Sequence, residues 1–521
     1  MKWWSDLWLK ESFATYLSHL CMENAEGLEE YKESWGLFLN YKTWAYREDQ
    51  LPSTHPIATN CQNTEEAENN FDGITYAKGS SVLKQLTYYI GMERFKEGIQ
   101  SYINKFAWKN TNLDDFMNCL QTSCTKHVET KTIDLQHWVN TWLRTKGMNE
   151  IEPIAEYENG KVKSFQIKQK FAPFADEKYR MQRIDIALYD KEFNETCVKN
   201  VFIEDQEITE VGEMIGKDQP FAFYINANDN GFGKFQIDRD TFLNLKANLH
   251  KVKDDVNRKM IWRAIWDLVQ DIKISAYEYL EFLYFTLEDE PDSDTISTNL
   301  FYAKYAIEKY VPWEMKSREH EKMFIFLYNQ LNSEKPPSIR NAFLNKMPEF
   351  AESKGQKNLV LQWLEHGLCS YEKKPIPNLS VSQGLHYEIV KNMHADDSIP
   401  METKEELISK VLEKDKSNTA IDLKRSCESA LPLPEIKERL WNWYTDLEAK
   451  DSDKVFTASM QSFNHWSQEI ILEPYVDKFF QVIMQVFTHR DRSFAKIFFL
   501  YLKPVFYNQE VKKNLQNAHF F

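Results

Sequence analysis

A chain of 521 residues is too long for one hydrophobic core, so about three domains are expected. Its 42% apolar and 14% aromatic content can fill large cores, and the 27% charged fraction suits a soluble exterior. A net charge of −15 with no long basic run argues against a nucleic-acid partner, and no stretch approaches the roughly 18 apolar residues of a membrane span.

The helical period runs through residues 1–147. Leu9, Phe13, Tyr16, Leu17 and Leu20 fall at i, i+4, i+7, i+8 and i+11, an apolar stripe on one helix face. Asp72 precedes a second helix predicted to reach Ile90, and Met92–Trp108 continues the pattern. Thr111 and Asp114 read as a capping box opening a helix through Cys119. Ile133–Thr145 is another helix, with Gly147 suited to its C-terminal end.

Near residue 150 the texture changes to short alternating strands. Ile151–Tyr157 and Val162–Gln169 are joined by Glu158-Asn159-Gly160-Lys161, and Asn-Gly is a strong hairpin signal. Met181–Tyr189, Val198–Ile203, Phe221–Ile225 and Phe232–Ile237 alternate in the same way, which predicts a small antiparallel β-sandwich. From about Asp240 to Phe521 the helical period returns, with Val256–Val269 as its clearest helix. Breaks at Glu290-Pro291-Asp292, Lys335-Pro336-Pro337-Ser338, Pro375-Ile376-Pro377 and Leu431-Pro432-Leu433-Pro434 divide it into helix pairs, the texture of an α-solenoid. The expected fold is therefore multidomain α+β, with boundaries at 1–149, 150–240 and 241–521.

Seven cysteines (Cys21, Cys61, Cys119, Cys124, Cys197, Cys369 and Cys427) are scattered and odd in number, which suits reduced thiols and a cytoplasmic location. Cys119 and Cys124 are read as ordinary buried thiols, with a disulfide or redox role the less favoured alternative. No signal peptide is expected, because the N-terminus lacks a basic region followed by an apolar one.

Taken alone, Glu11 reads as a surface glutamate. It lies off the apolar stripe and shares its face with Thr15 and Ser18. Tyr76 lines up with Leu83 and Ile90 at i+7 and i+14, so periodicity alone makes it a core tyrosine. The strings around them point elsewhere. Trp3-Trp4-Ser5-Asp6-Leu7-Trp8-Leu9-Lys10-Glu11-Ser12-Phe13-Ala14 resembles the zinc-ligand helix of the aminopeptidase N family of metallopeptidases (the membrane alanyl aminopeptidase-like gluzincins), in a Glu-Ser variant and with Lys10 at a usual Asn position. Asp49-Gln50-Leu51-Pro52-Ser53-Thr54-His55-Pro56-Ile57 is similar to that family's Ser-x-His-Pro-Ile loop, in which His55 is read as structural. Phe71-Asp72-Gly73-Ile74-Thr75-Tyr76-Ala77-Lys78-Gly79 resembles the segment whose tyrosine binds the oxyanion. Phe221–Asp238 and Asn257–Leu268 extend the resemblance through the later domains.

That resemblance implies that residues 1–149 are the helical lobe of a thermolysin-like catalytic domain, followed by a β-sandwich and an ERAP-like C-terminal α-solenoid. It implies one zinc ion in the intact enzyme, Glu11 as its third protein ligand, Tyr76 as oxyanion donor, and peptides as substrates. The Glu-Ser and Thr-Tyr-Ala-Lys-Gly variants point to the soluble, bacterial-like branch. The family's other ligands come from a His-Glu-x-x-His helix, because His at i and i+4 share a face. None of the twelve histidines here forms that motif; His320-Glu321-Lys322-Met323-Phe324 starts it and ends in Phe. The family's spacing puts the motif upstream of Met1, so the sequence reads as N-terminally truncated. Zinc is not expected to bind the 521 residues alone, and the chain by itself is expected to be inactive and to aggregate or depend on a partner. The alternative is a non-catalytic interaction or scaffold protein derived from the same family.

Overall fold

The computed structural model describes residues 2–27, 34–126 and 133–504. Met1 and residues 505–521, the end of the expected helical region, lie outside the described residues. The chain divides into two units, Met1–Asp289 and Glu290–Phe521, with the boundary at the predicted Glu290-Pro291-Asp292 break. It is a multidomain α+β protein, and its second unit is helical.

The first unit begins with a 3-10 turn, Trp4–Asp6, that runs into α1 (Leu7–Asn24). Trp8, Ser12 and Tyr16 form the buried ridge of α1, while Phe13, Leu17 and Leu20 pack more shallowly on the same core. Of the predicted stripe Leu9 and Tyr16 are buried and the other three partly so, while Leu7, Trp8 and Ser12 complete the buried face. Helices α2 (Ser34–Glu48), α3 (Thr64–Asn69), α4 (Gly79–Ile90), α5 (Met92–Phe106), α6 (Leu113–Lys126) and α7 (Leu135–Trp142) complete the lobe. The capping box of α6 is Asn112 with Asp115: each side chain accepts the other's backbone N–H, at 3.0 and 3.2 Å. That is one residue later than predicted. The Thr111 hydroxyl is taken instead by the Tyr102 phenol. Asp134 caps α7 through the amides of Gln136 and His137.

Strands β1 (Asn149–Glu158) and β2 (Lys161–Phe171) form the predicted hairpin. Asn159 and Gly160 both take positive φ, 54° and 72°, the conformation that lets a two-residue turn follow the strand twist. Strands β3 (Gln182–Tyr189), β4 (Glu195–Ile203), β5 (Ile208–Glu210), β6 (Ala222–Ala227) and β7 (Lys234–Phe235) follow. They make a four-stranded sheet, β5-β2-β1-β7, and a three-stranded one, β4-β3-β6. Contrary to the all-antiparallel expectation, β7 pairs with β1 in parallel, Glu150 opposite Lys234. The turn-rich Asn228–Gly231 segment separates β6 in one sheet from β7 in the other, so the return strand enters the first sheet along its edge. Helices α8 (Arg239–Leu245), α9 (Asp255–Gln270) and α10 (Ala276–Thr286) close this unit.

In the second unit Ser293–Tyr310 packs on Pro337–Lys346, and Gln383–Ala395 on Asn418–Ala430. Asn418–Ala430 in turn meets Asp453–Met460, which meets Arg492–Leu502. Prolines start several helices where a missing N–H costs nothing: Pro337 and Pro434 both sit in a first turn. His320, the start of the incomplete motif, is buried in Trp313–Leu331 and stacks on Trp466 with ring centroids 4.5 Å apart.

Candidate functional site

Helix α1 carries Glu11 at its exposed margin, where the carboxylate is half-buried and pairs with Lys10 at 2.9 Å. Across from it, residues Ile74–Lys78 do not continue α4 as a regular helix. They form a π-helical turn in which the Gly79 amide reaches back five residues to the Ile74 carbonyl. Such single-turn π segments inside helices are rare and gather at functional sites. The extra residue per turn breaks the i+7 relation between Tyr76 and Leu83. Ile74, Thr75, Ala77 and Lys78 are buried, while Tyr76 is swung out to a half-exposed position. The reading of Tyr76 as a core tyrosine therefore fails, for a reason that a 3.6-residue period cannot register.

Tyr76 comes to Glu11. Burial raises the Tyr76 phenol above its ordinary range, and the charge of the nearby Glu11 carboxylate raises it further. A phenol that stays protonated remains a hydrogen-bond donor at neutral pH. Its ring stacks on Trp44 at 6.3 Å and leans against Phe71. Trp44 is itself fixed: its indole N–H donates to Glu48 Oε1 at 2.5 Å, and Glu48 Oε2 accepts the Gly73 amide at 2.7 Å. Gly73 has to be small here, since a Cβ would lie 2.9 Å from the Trp44 ring.

Three polar anchors hold the turn. At its start Asp72 Oδ1 accepts the amides of Ile74 and Thr75, both at 3.0 Å, while Oδ2 pairs with His55 Nε2 at 2.8 Å. Burial pulls the His55 imidazole down, but the bond and charge of Asp72 outweigh it and leave it above its usual value. In the middle, the Ser12 hydroxyl donates to the Thr75 carbonyl at 2.6 Å. At the end Lys78, fully buried, donates to Asp49 Oδ1 at 2.9 Å and to the Gly147 carbonyl at 3.0 Å. The sequence singles out Glu11 and Tyr76 as candidates and casts His55 as structural. It gives no role to Trp44, Glu48, Asp49 or Lys78, of which only Asp49 and Lys78 belong to the recognised strings. Asp72 was read only as preceding a helix.

A catalytic zinc takes about three protein ligands. Among the described residues no three His, Cys, Asp or Glu side chains converge as a metal site. Beside the Glu11 carboxylate stand Lys10, Tyr76 and Tyr41, a set that does not fit the ion. The seven cysteines are free thiols, Cys119 and Cys124 both buried. No helix among the described residues is long and apolar enough to cross a membrane.

A glutamate on α1 and a phenol on the π-helical turn thus precede two small sheets and a helical unit. The Peptidase family M1 domain matches residues 1–142, and the ERAP1-like C-terminal domain matches residues 222–519, more than half of the chain. The chain belongs to the M1 aminopeptidase family, whose members are in general zinc metalloenzymes. It is 29% identical to an aminopeptidase N of Streptomyces lividans over 95% of its own length and 57% of that protein's. It is 44% identical to a probable aminopeptidase 2 of Sulfurisphaera tokodaii over 25% of its length and 16% of that protein's. A tricorn protease-interacting factor F2 of Thermoplasma volcanium is 26% identical over 56% of the chain and 34% of its own length. The chain thus spans little more than half, or less, of the relatives it matches.

Proposed function

We propose that these residues supply two parts of a zinc aminopeptidase that removes N-terminal residues from peptides: Glu11 as the third zinc ligand and Tyr76 as the oxyanion donor. The observation that carries this reading is the meeting of Glu11 with Tyr76 across a π-helical turn. A phenol held by a stacked Trp44 and aimed at developing negative charge favours the tetrahedral transition state over the ground state. In this reading residues 1–149 are the helical lobe of the catalytic domain and 150–240 a β-sandwich. Residues 241–521 are an α-solenoid, supported by the next-but-one packing of helices in the second unit. The enzyme acts in the cytoplasm.

With one carboxylate and no paired histidines to hold the ion, the 521 residues alone are inactive. The test is hydrolysis of an aminoacyl reporter by the pure chain with added zinc, beside the same chain preceded by a relative's His-Glu-x-x-His segment. Turnover only in the extended protein, abolished by Tyr76→Phe, is the expected result. Chelator-sensitive turnover by the 521 residues alone overturns the claim of inactivity. An extended protein that binds zinc yet never turns over overturns the enzyme reading in favour of a binding scaffold.

A further inference from the structure

Ser12 follows Glu11, and Thr75 precedes Tyr76. The bond from the Ser12 hydroxyl to the Thr75 carbonyl, 2.6 Å and buried, therefore joins the immediate neighbours of the two site residues. The contact behind it is equally close. Gly79, where the π turn passes into α4, has no room for a side chain: a Cβ there would lie 2.0 Å from Ser12 Oγ and 3.5 Å from the Trp8 ring. Ser12 itself is fully buried. A hydroxyl in such a place does not serve solubility, and burying it unpaired would be costly.

Its chemistry suits the turn. In a regular helix every interior carbonyl accepts one amide from four residues on; in a π turn that partner shifts to five. A donor from outside the helix that occupies the Thr75 carbonyl offers the backbone an alternative to the regular ladder, the recognised way in which an inserted side chain deforms a helix. Asp72 fixes where the turn begins and Lys78 where it ends. The hydrogen bonds of those two anchors run to other segments, whereas Ser12 ties the turn to the helix that carries Glu11.

We propose that Ser12 is a positioning residue: its hydroxyl, bonded to the Thr75 carbonyl, holds residues 74–78 in the π-helical register that brings Tyr76 to Glu11. This rests on the reading of Glu11 and Tyr76 as one site, but not on turnover. Without the bond the turn relaxes toward a regular helix, and Tyr76 rotates back toward the Leu83–Ile90 face.

The experiment places 3-fluorotyrosine at position 76 of the full 521-residue chain and records its 19F resonance with no metal present. In the parent chain Glu11→Gln shifts that resonance, because the carboxylate lies beside the phenol. In the Ser12→Ala background the shift caused by Glu11→Gln falls several-fold, while circular dichroism and the unfolding midpoint stay close to those of the parent. Gly79→Ala breaks the same bond while keeping the hydroxyl, by displacing it, and gives the same loss. If Gly79→Ala does not fold, Ser12→Ala decides the matter alone. A response to Glu11→Gln that survives intact in folded Ser12→Ala overturns the proposal. Because the readout needs neither zinc nor substrate, its failure is separate from that of the enzyme reading. An extended protein that fails to hydrolyse peptides, with the coupling present and sensitive to Ser12, refutes catalysis and leaves the positioning role standing.

Discussion

The lobe around the candidate site and the helical second unit both bury lysines, and they neutralise them differently. In the lobe each buried ammonium has a carboxylate: Lys78 has Asp49, while Lys42 and Lys84 share Asp229. In the second unit Lys437, with none of its side chain accessible, donates to the carbonyls of Ser429 and Phe463, both at 2.6 Å, and no carboxylate among the described residues pairs with it. A buried ion pair costs desolvation on both sides, and its charges fix direction as well as distance. Two carbonyls bind an amine without fixing its charge. The Lys78 site is thus built to hold a particular geometry, and the Lys437 site is built to pack.

The sharpest way to break this contrast is Lys78→Met. It strands the buried Asp49 carboxylate, one oxygen of which already lacks a partner, and frees the end of the π turn. Removing one member of a buried pair costs about 3–5 kcal/mol, so the first unit should lose much of its stability. Calorimetry that follows that unit's transition checks this. A loss below about 1 kcal/mol would mean that the ion pair does not pin the turn.

Much of the layout was legible beforehand, and the reasons differ by element. The Asn159-Gly160 turn and the helix over 255–270 follow from local chemistry: positive φ tolerated by Asn and Gly, and an amphipathic run capped by Asp254. Glu11 and Tyr76 stand out as candidates through the strings that surround them, not through periodicity, which puts the half-exposed Tyr76 in the core. The π turn was not legible because its cause is non-local: Ser12 lies 63 residues away along the chain. The parallel β1–β7 pairing and the three-residue β5 were missed likewise. Phe232–Ile237 reads as a strand, but its direction, like the three-residue β5, is set by the sheet it joins. Lys42 and Lys78 look like surface lysines in sequence, and only the carboxylates that meet them in space explain their burial.

A smaller effect tests whether the anchor at the other end of the turn works through charge. The folded-state His55 value is raised, so its pairing with Asp72 stabilises fully below the unfolded value near 6.5 and is lost as pH rises through the folded value. His55→Gln should cost about 1 kcal/mol in acid and progressively less above neutrality. Hydrogen exchange at the Ile74 and Thr75 amides, both bonded to Asp72, reports it locally. Exchange should quicken in the variant more at pH 6 than at pH 8. Equal acceleration at both would mean that a neutral imidazole holds Asp72 as well as a charged one does.

Near neutrality the smallest net effect belongs to Lys437, and its size depends on pH. Burial pushes this amine down to about 7, far below a free lysine near 10.4. Two carbonyl acceptors match the two hydrogens of a neutral amine, whereas an ammonium carries a third. Between about pH 7 and 10 the unfolded chain holds the proton and the folded one does not, so Lys437 makes the second unit more stable as pH rises through that window. Below it both states are charged, and the folded state bears the full cost of a buried charge. Lys437→Met removes that cost but leaves two carbonyls without a donor. The two changes oppose each other, so near neutrality the variant should lie within about 1 kcal/mol of the parent. The difference should tilt with pH: Met gains on the parent as pH falls from 10 to 7 and holds its position below. Calorimetry of the second unit's transition across pH 6 to 10 measures the tilt. A variant destabilised by the same several kcal/mol at every pH, as expected for Lys78→Met, would show that Lys437 is a fixed ionic pin after all and would erase the distinction between the two units.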